Sequence, residues 1–174
     1  MAKKKMKIIS LDAETNGLWG EAFAIAAVVR CDGEERARFS ARCPISGETE
    51  KWVSENVLPE MADIPVTHRS YESMLQDFIT FYMNEKENAT ILVHMGLPVE
   101  ARLFLDAHRL GFMGDWDAPY PLTDISAIPE IGVSVDSYNK NHGIEVPPMV
   151  GGTHNPLYDS VAAALSYEHL MSHR

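Results

Sequence analysis

Residues 22 to 31, AFAIAAVVRC, offer no polar side chain before Arg30. A strand turns successive side chains to opposite faces, so a run without alternation has no face to give to water. It needs cover above and below, which requires a sheet with packing layers on both sides. KIISLDA (7 to 13) upstream predicts a second buried strand. Downstream, Asp32-Gly33 predicts a hairpin turn into ERARFSARC (35 to 43), whose alternation suits a half-exposed strand. The chain therefore opens as a β-meander with one strand enclosed.

The rest supplies the covering layers. EKWVSENVLPEM predicts a short helix ending before Pro59. Tyr71, Met74, Leu75, Phe78, Ile79 and Tyr82 then follow the spacing of an amphipathic helix with Ser70 as its N-cap. ATILVHM (89 to 95) predicts a fourth strand. Pro98 opens a helix whose core face is Leu103, Phe104, Ala107 and Leu110, and Gly111 stops it. Residues 112 to 121 predict a loop and PLTDISAI a short fifth strand, while 129 to 153 is too rich in Pro and Gly for a firm assignment. Asn155 caps a last helix with Pro156 at its first position and Leu157, Val161, Ala164 and Leu165 as a buried stripe. The order implies an α/β fold, a mixed five-stranded sheet flanked by helices. With 174 residues and 45% hydrophobic content, one domain over 1–174 is expected.

No apolar run approaches the roughly 18 residues of a membrane span, and MAKKKMK leads into no apolar signal core. A soluble, cytoplasmic protein with no membrane partner is expected. Cys31 and Cys43 stand outside any C-x-x-C spacing, so two reduced structural thiols are expected. The net charge of −10 argues against a basic track for nucleic acid. Acidity also arises when carboxylates are grouped to hold divalent cations, which then supply the positive field.

The first strand ends on such a group. In LDAETNG, Asp12 and Glu14 project from the same face, roughly 6 to 7 Å apart along the strand. Like charges so close in a partly buried place raise each other's pKa unless a cation lies between them, and an oxygen-seeking ion such as Mg²⁺ or Mn²⁺ suits the pair. A solvent-exposed strand end with acids that merely cap a loop is the alternative. Near the other end of the chain, THNPLYDSVAAAL places His154 just before a helix and Asp159 one turn inside it. Ala162 and Ala163 are small enough to let that helix pack close to a sheet. His154 can equally be a loop imidazole bonded to backbone.

LDAETNG resembles the first motif, D-x-E-T, and HNPLYDS the third, H-x-x-x-x-D, of the DEDDh exonucleases, a DnaQ-like superfamily with a ribonuclease-H-like fold. The order and separation of the motifs fit, and the resemblance spans residues 7 to 172. In LVHMGLPVEARLFL the family's middle aspartate is replaced by Glu100, with Asp106 and Asp124 as other candidates for that role. EKWVSENVLPEM followed by RSYESMLQDFITFY is similar to compact bacterial and phage 3′–5′ exoribonucleases of the RNase AS kind.

This resemblance implies a two-metal-ion 3′–5′ exonuclease. Asp12, Glu14, Glu100 and Asp159 would hold two Mg²⁺ or Mn²⁺ ions, and His154 would be the general base. Thr15, Leu18 and Trp19 would meet the substrate, the latter two by stacking on or wedging the terminal bases. The partners implied are 3′ ends of single-stranded RNA or DNA, RNA favoured, with nucleoside 5′-monophosphates released; a homodimer is suggested by analogy alone. Three rivals stand: a DNA exonuclease of proofreading or repair type, a weakened nucleic-acid-binding module supported by the Glu100 departure, and a plain divalent-ion binder that leaves His154 unused.

Overall fold

The computed structural model describes residues 6 to 174. MAKKK, the basic start from which no signal sequence was expected, lies outside them. Strands β1 (Lys7–Thr15), β2 (Ala22–Cys31) and β3 (Glu34–Arg42) form the antiparallel meander. Asp32 and Gly33 join β2 to β3, both with positive φ (52° and 87°), the two-residue geometry that matches strand twist. Strands β4 (Ala89–Val93) and β5 (Leu122–Asp124) add in parallel on the far side of β1, giving the order β3-β2-β1-β4-β5. The sheet is mixed and five-stranded, as the segment order implies.

Register then assigns the faces. Ile9, Leu11 and Ala13 pair with Val29, Ala27 and Ile25, and this face packs under α1 (Tyr71–Glu85) and α2 (Val99–Arg109). Ile8, Ala26, Val28 and Leu92 face the other way, under α3 (Val135–Asn141) and α4 (Pro156–Ser172). β2 is thus enclosed on both faces, as its composition demands. Each large apolar side chain buried here contributes about 1.5–3 kcal/mol.

Local chemistry sets the element ends. Ser70 caps α1 by accepting the Ser73 N–H at 3.3 Å, and Asn155 caps α4 by accepting the Leu157 N–H at 3.0 Å. The segment before Pro59 is helical, but wound wide over Val53–Val57 so that Val53, Val57 and Met61 all reach the core.

Several expectations are corrected. β4 ends at Val93 rather than Met95, because the Met95 and Gly96 amides turn to the Asp124 carboxylate. The fifth strand is only three residues long and passes into a 3₁₀ turn capped by that same Asp124. Leu110 ends α2 at 44% exposure instead of joining its core face. Leu165 is only half-buried, while Ala162, Ala163 and Ser166 are buried, because α4 is covered by α3 as well as by the sheet. The helix α3 was hidden in the Pro- and Gly-rich stretch. Its two turns are too short to show a period, and it docks partly by polar contacts: Asn139 Nδ2 donates to the Ala162 carbonyl at 3.1 Å and accepts, at Oδ1, from Ser166 at 2.7 Å.

Alanine at 162 sets how close α4 lies to the sheet. Ala162→Leu is expected to destabilise the fold by about 1–3 kcal/mol through overpacking, read as a lower urea midpoint. An unchanged midpoint would show that the helix has room to spare.

Candidate active site

The even-numbered residues of β1 share one face, so Asp12 and Glu14 follow Ile8 and Ser10 toward α4. The Ser160 hydroxyl donates within 3.2 Å of both the Ala26 carbonyl and its own helix's Pro156 carbonyl, and Ala26 is the residue paired with Asp12. Asp159 is thereby fixed beside the strand end. Asp12, Glu14 and Asp159 each offer a carboxylate oxygen, and these atoms all lie within 4.8 Å of one another.

Glu100 arrives from the opposite layer. Pairing of β1 with β4 stops at Ser10–Leu92, leaving the β1 amides beyond without a strand acceptor on that side. Glu100, in the first turn of α2 and only 3% exposed, accepts the Ala13 N–H at 3.0 Å through Oε1. An aspartate at this position would be one methylene shorter, so the glutamate serves the strand end as well as the acid group.

The other two candidate acids are engaged elsewhere. Asp106 accepts from the Tyr71 hydroxyl at 2.9 Å and from Arg102 Nε at 3.0 Å. Asp124 accepts from the amides of Met95, Gly96 and Ser126 and from the Ser126 hydroxyl at 2.6 Å. Burial opposes ionisation of Asp124, but these bonds outweigh it and hold its pKa below the ordinary carboxylate value. The residue braces the turn that leads into α2.

Electrostatics of the group all run one way. Asp12 is pushed well above the ordinary range by burial, then by the charges of Glu100, Asp159 and Glu14. Glu14 is raised to about 8 by burial and by Asp159 and Glu100. Glu100 is raised to about 8 by burial, partly countered by its backbone hydrogen bonds, with Asp124 and Asp159 adding to the rise. Asp159 is raised to about 7 by burial and then by Asp136. Among the described residues no Lys, Arg or His forms an ion pair with any of the four. An all-oxygen donor set carrying unrelieved negative charge fits a hard divalent cation such as Mg²⁺ or Mn²⁺.

His154 is half-buried in the 3₁₀ turn Gly152–His154, immediately before α4, and is not one of the three groups within 4.8 Å. Its ring stands edge-on to Trp52, with centroids 6.4 Å apart. Gly151 leads into this turn with φ 86°, and a Cβ there would lie 3.0 Å from Ile64 Cδ1.

Thr15 sits at the bulge that ends the β1–β2 ladder. Leu18 and Trp19 follow on a loop, 62% and 72% exposed, so neither side chain belongs to the core. The loop backbone is pinned while these side chains are free: Asn16 Nδ2 donates to the Glu48 carbonyl, and the Arg102 guanidinium donates to the Trp19 carbonyl. Three exposed apolar residues that sequence reasoning missed belong to the same end of the sheet. Met95 and Leu97 precede Glu100, and Trp52 meets His154. No spacing marks them, since only the fold brings these segments together.

No protein-family model matches the sequence, and neither does any curated protein. Among solved structures the chain is similar to Exonuclease X in complex with 5′ overhanging duplex DNA, at 20% identity and a TM-score of 0.55, over 95% of this chain and 92% of that one. The likeness establishes the ribonuclease-H-like fold.

Carboxylates with raised native pKa bind protons more tightly folded than unfolded. The stability they confer is full below about pH 4 and is lost as pH rises toward 8. Two results are expected at pH 8, the first in chelator and the second with Mg²⁺ in its place. Asp12→Asn should raise the thermal midpoint by about 5 °C, the shift that roughly 2 kcal/mol gives in a chain of this size. Mg²⁺ should raise the midpoint of the wild type but hardly that of the variant. A variant less stable than wild type in chelator would contradict this electrostatic picture.

Proposed function

We propose that this chain is a divalent-metal-dependent 3′–5′ exonuclease, one domain over residues 1–174, which hydrolyses phosphodiester bonds at the 3′ end of a single strand and releases nucleoside 5′-monophosphates. The observation that carries this is the convergence of Asp12, Glu14 and Asp159 within 4.8 Å, without a cationic partner among the described residues, at one end of a ribonuclease-H-like sheet. The D-x-E-T and H-x-x-x-x-D motifs that resemble the DEDDh exonucleases supply these same residues.

Asp12, Glu14, Asp159 and the free oxygen of Glu100 are the groups that would hold two Mg²⁺ or Mn²⁺ ions. When bound, such ions lower the pKa of an attacking water and offset charge on the attacking and leaving oxygens. His154 acts as the general base and takes the proton from the water at an imidazole nitrogen. Trp52 limits where that ring can turn. Thr15, Leu18 and Trp19 receive the terminal nucleotides, the exposed indole by stacking. With a net charge of −10 the chain has no general affinity for phosphates, so binding rests on the 3′ terminus rather than on a long backbone track.

RNA is the favoured strand, through the similarity of residues 50 to 82 to compact exoribonucleases. DNA is the second reading, favoured by a structural neighbour that holds duplex DNA. End-labelled single strands of RNA and DNA, given Mg²⁺, Mn²⁺ or chelator, separate the two. Metal-dependent stepwise shortening from the 3′ end of RNA is expected. Equal or faster shortening of DNA supports the second reading, and no shortening of either overturns the proposal.

Two substitutions probe the roles. His154→Gln should lower turnover by roughly 10² or more while leaving the Mg²⁺-induced thermal shift in place. Glu100→Gln keeps an acceptor for Ala13 and removes a charge; the expected outcome is a folded protein with weaker metal binding and low activity.

A further inference from the structure

Asp106 takes no part in the carboxylate group, yet it is the hub of a polar relay that reaches the rim of the site. One of its oxygens, Oδ2, accepts both the Tyr71 hydroxyl at 2.9 Å and Arg102 Nε at 3.0 Å. Arg102 in turn donates from Nη1 to the Trp19 carbonyl. The relay therefore runs from the first residue of α1, across α2, to the exposed tip of the loop between β1 and β2.

Stability of α2 does not account for this arrangement. Asp106 stands near the C-terminal end of the helix, where the macrodipole disfavours a carboxylate. It also follows Arg102 by four residues, with the cation first, the weaker order for an ion pair on a helix. What the pair does achieve is aim. The Asp106 side chain is 14% exposed and held by a tyrosine that packs against the core, so it fixes one edge of the guanidinium and leaves the other edge on the loop. Lysine, with a single nitrogen on a flexible stem, could not hold both partners in this way.

The loop needs such a hold. Its base is fixed by Asn16, which donates to the Glu48 carbonyl at 2.9 Å and accepts the Glu50 N–H at 2.8 Å. At the tip, the Gly20 N–H bonds the Gly17 carbonyl at 3.0 Å, and among the described residues no side chain other than Arg102 bonds Leu18 or Trp19. We propose that Arg102, aimed by Asp106 and Tyr71, is a positioning residue for this loop, and through it sets how tightly the chain holds a 3′ strand end. The second half of that statement rests on the reading that Leu18 and Trp19 meet the terminal nucleotides. A tip held in place before the strand arrives spares the cost of ordering it on binding. The hold acts on affinity and leaves the carboxylates and His154 untouched.

The experiment compares the full wild-type chain with Arg102→Met, Tyr71→Phe and the double variant in two arms. Amide hydrogen exchange reads the loop without any substrate. Arg102→Met should speed exchange at Gly20 by about tenfold while the sheet stays protected. Steady-state shortening of an end-labelled single strand with Mg²⁺ reads the grip: KM should rise by about tenfold with kcat within about twofold, the pattern of lost uniform binding. Tyr71→Phe should shift both readouts the same way by less, and the double variant should be no worse than Arg102→Met alone. Unchanged Gly20 exchange, or faster exchange spread over the whole chain, would overturn the positioning role. A loosened loop with unchanged KM would overturn its hold on the strand, and additive effects in the double variant would overturn the relay from Tyr71. Should the wild type shorten no strand at all, the exonuclease reading fails by itself and the exchange arm still decides whether Arg102 holds the loop.

Discussion

Asp12, Glu14, Glu100 and Asp159 repel one another, and no cation of the described chain relieves them. Such a group persists only where the elements carrying it are anchored by other forces. Here β1 and β2 are enclosed on both faces by apolar layers, each large buried side chain contributing about 1.5–3 kcal/mol, so a few of them outweigh the strain at the strand end. Small residues on α4 and the Ser160 bond to Ala26 then set the helix close enough for Asp159 to join Asp12. Without metal the group relaxes by keeping protons, which is why its pKa values rise. The site is thus a local instability held by a stable sheet, and a divalent cation bound there, as proposed, would offset the repulsion.

Glu100 shows how one side chain serves the strand end and the acid group together. β1 outruns β4, and the amide of Ala13 needs an acceptor that no strand offers. The extra methylene of glutamate lets α2 supply it while the same carboxylate adds its charge to the group. Asp124, the last residue of β5, spends its oxygens on the turn before α2 and so fixes where Glu100 enters. A glutamate rather than an aspartate at position 100 therefore has a structural reason in this chain.

Much of this was legible in the chain itself. The unalternating run of β2 demanded two covering layers, and the D-x-E pair had to share a face because strands have period two. Asn155, Pro156 and the alanines marked where α4 begins and how closely it packs. What stayed hidden depends on contacts between distant segments. Trp52 lies beside His154 only because a wide-wound turn brings it there, and the short helix α3 is held by Asn139 and Ser166, a polar pairing without periodicity. Leu110 and Leu165 fit a helical stripe, but burial is decided by which layers cover each helix.

The most direct test is a crystal structure of the chain with Mn²⁺, located by anomalous scattering. Density for the ion is expected between Asp12, Glu14 and Asp159, with carboxylate oxygens at coordinating distance. Manganese bound elsewhere, or these three side chains turned to separate regions around an empty strand end, would contradict a metal centre at the heart of this fold.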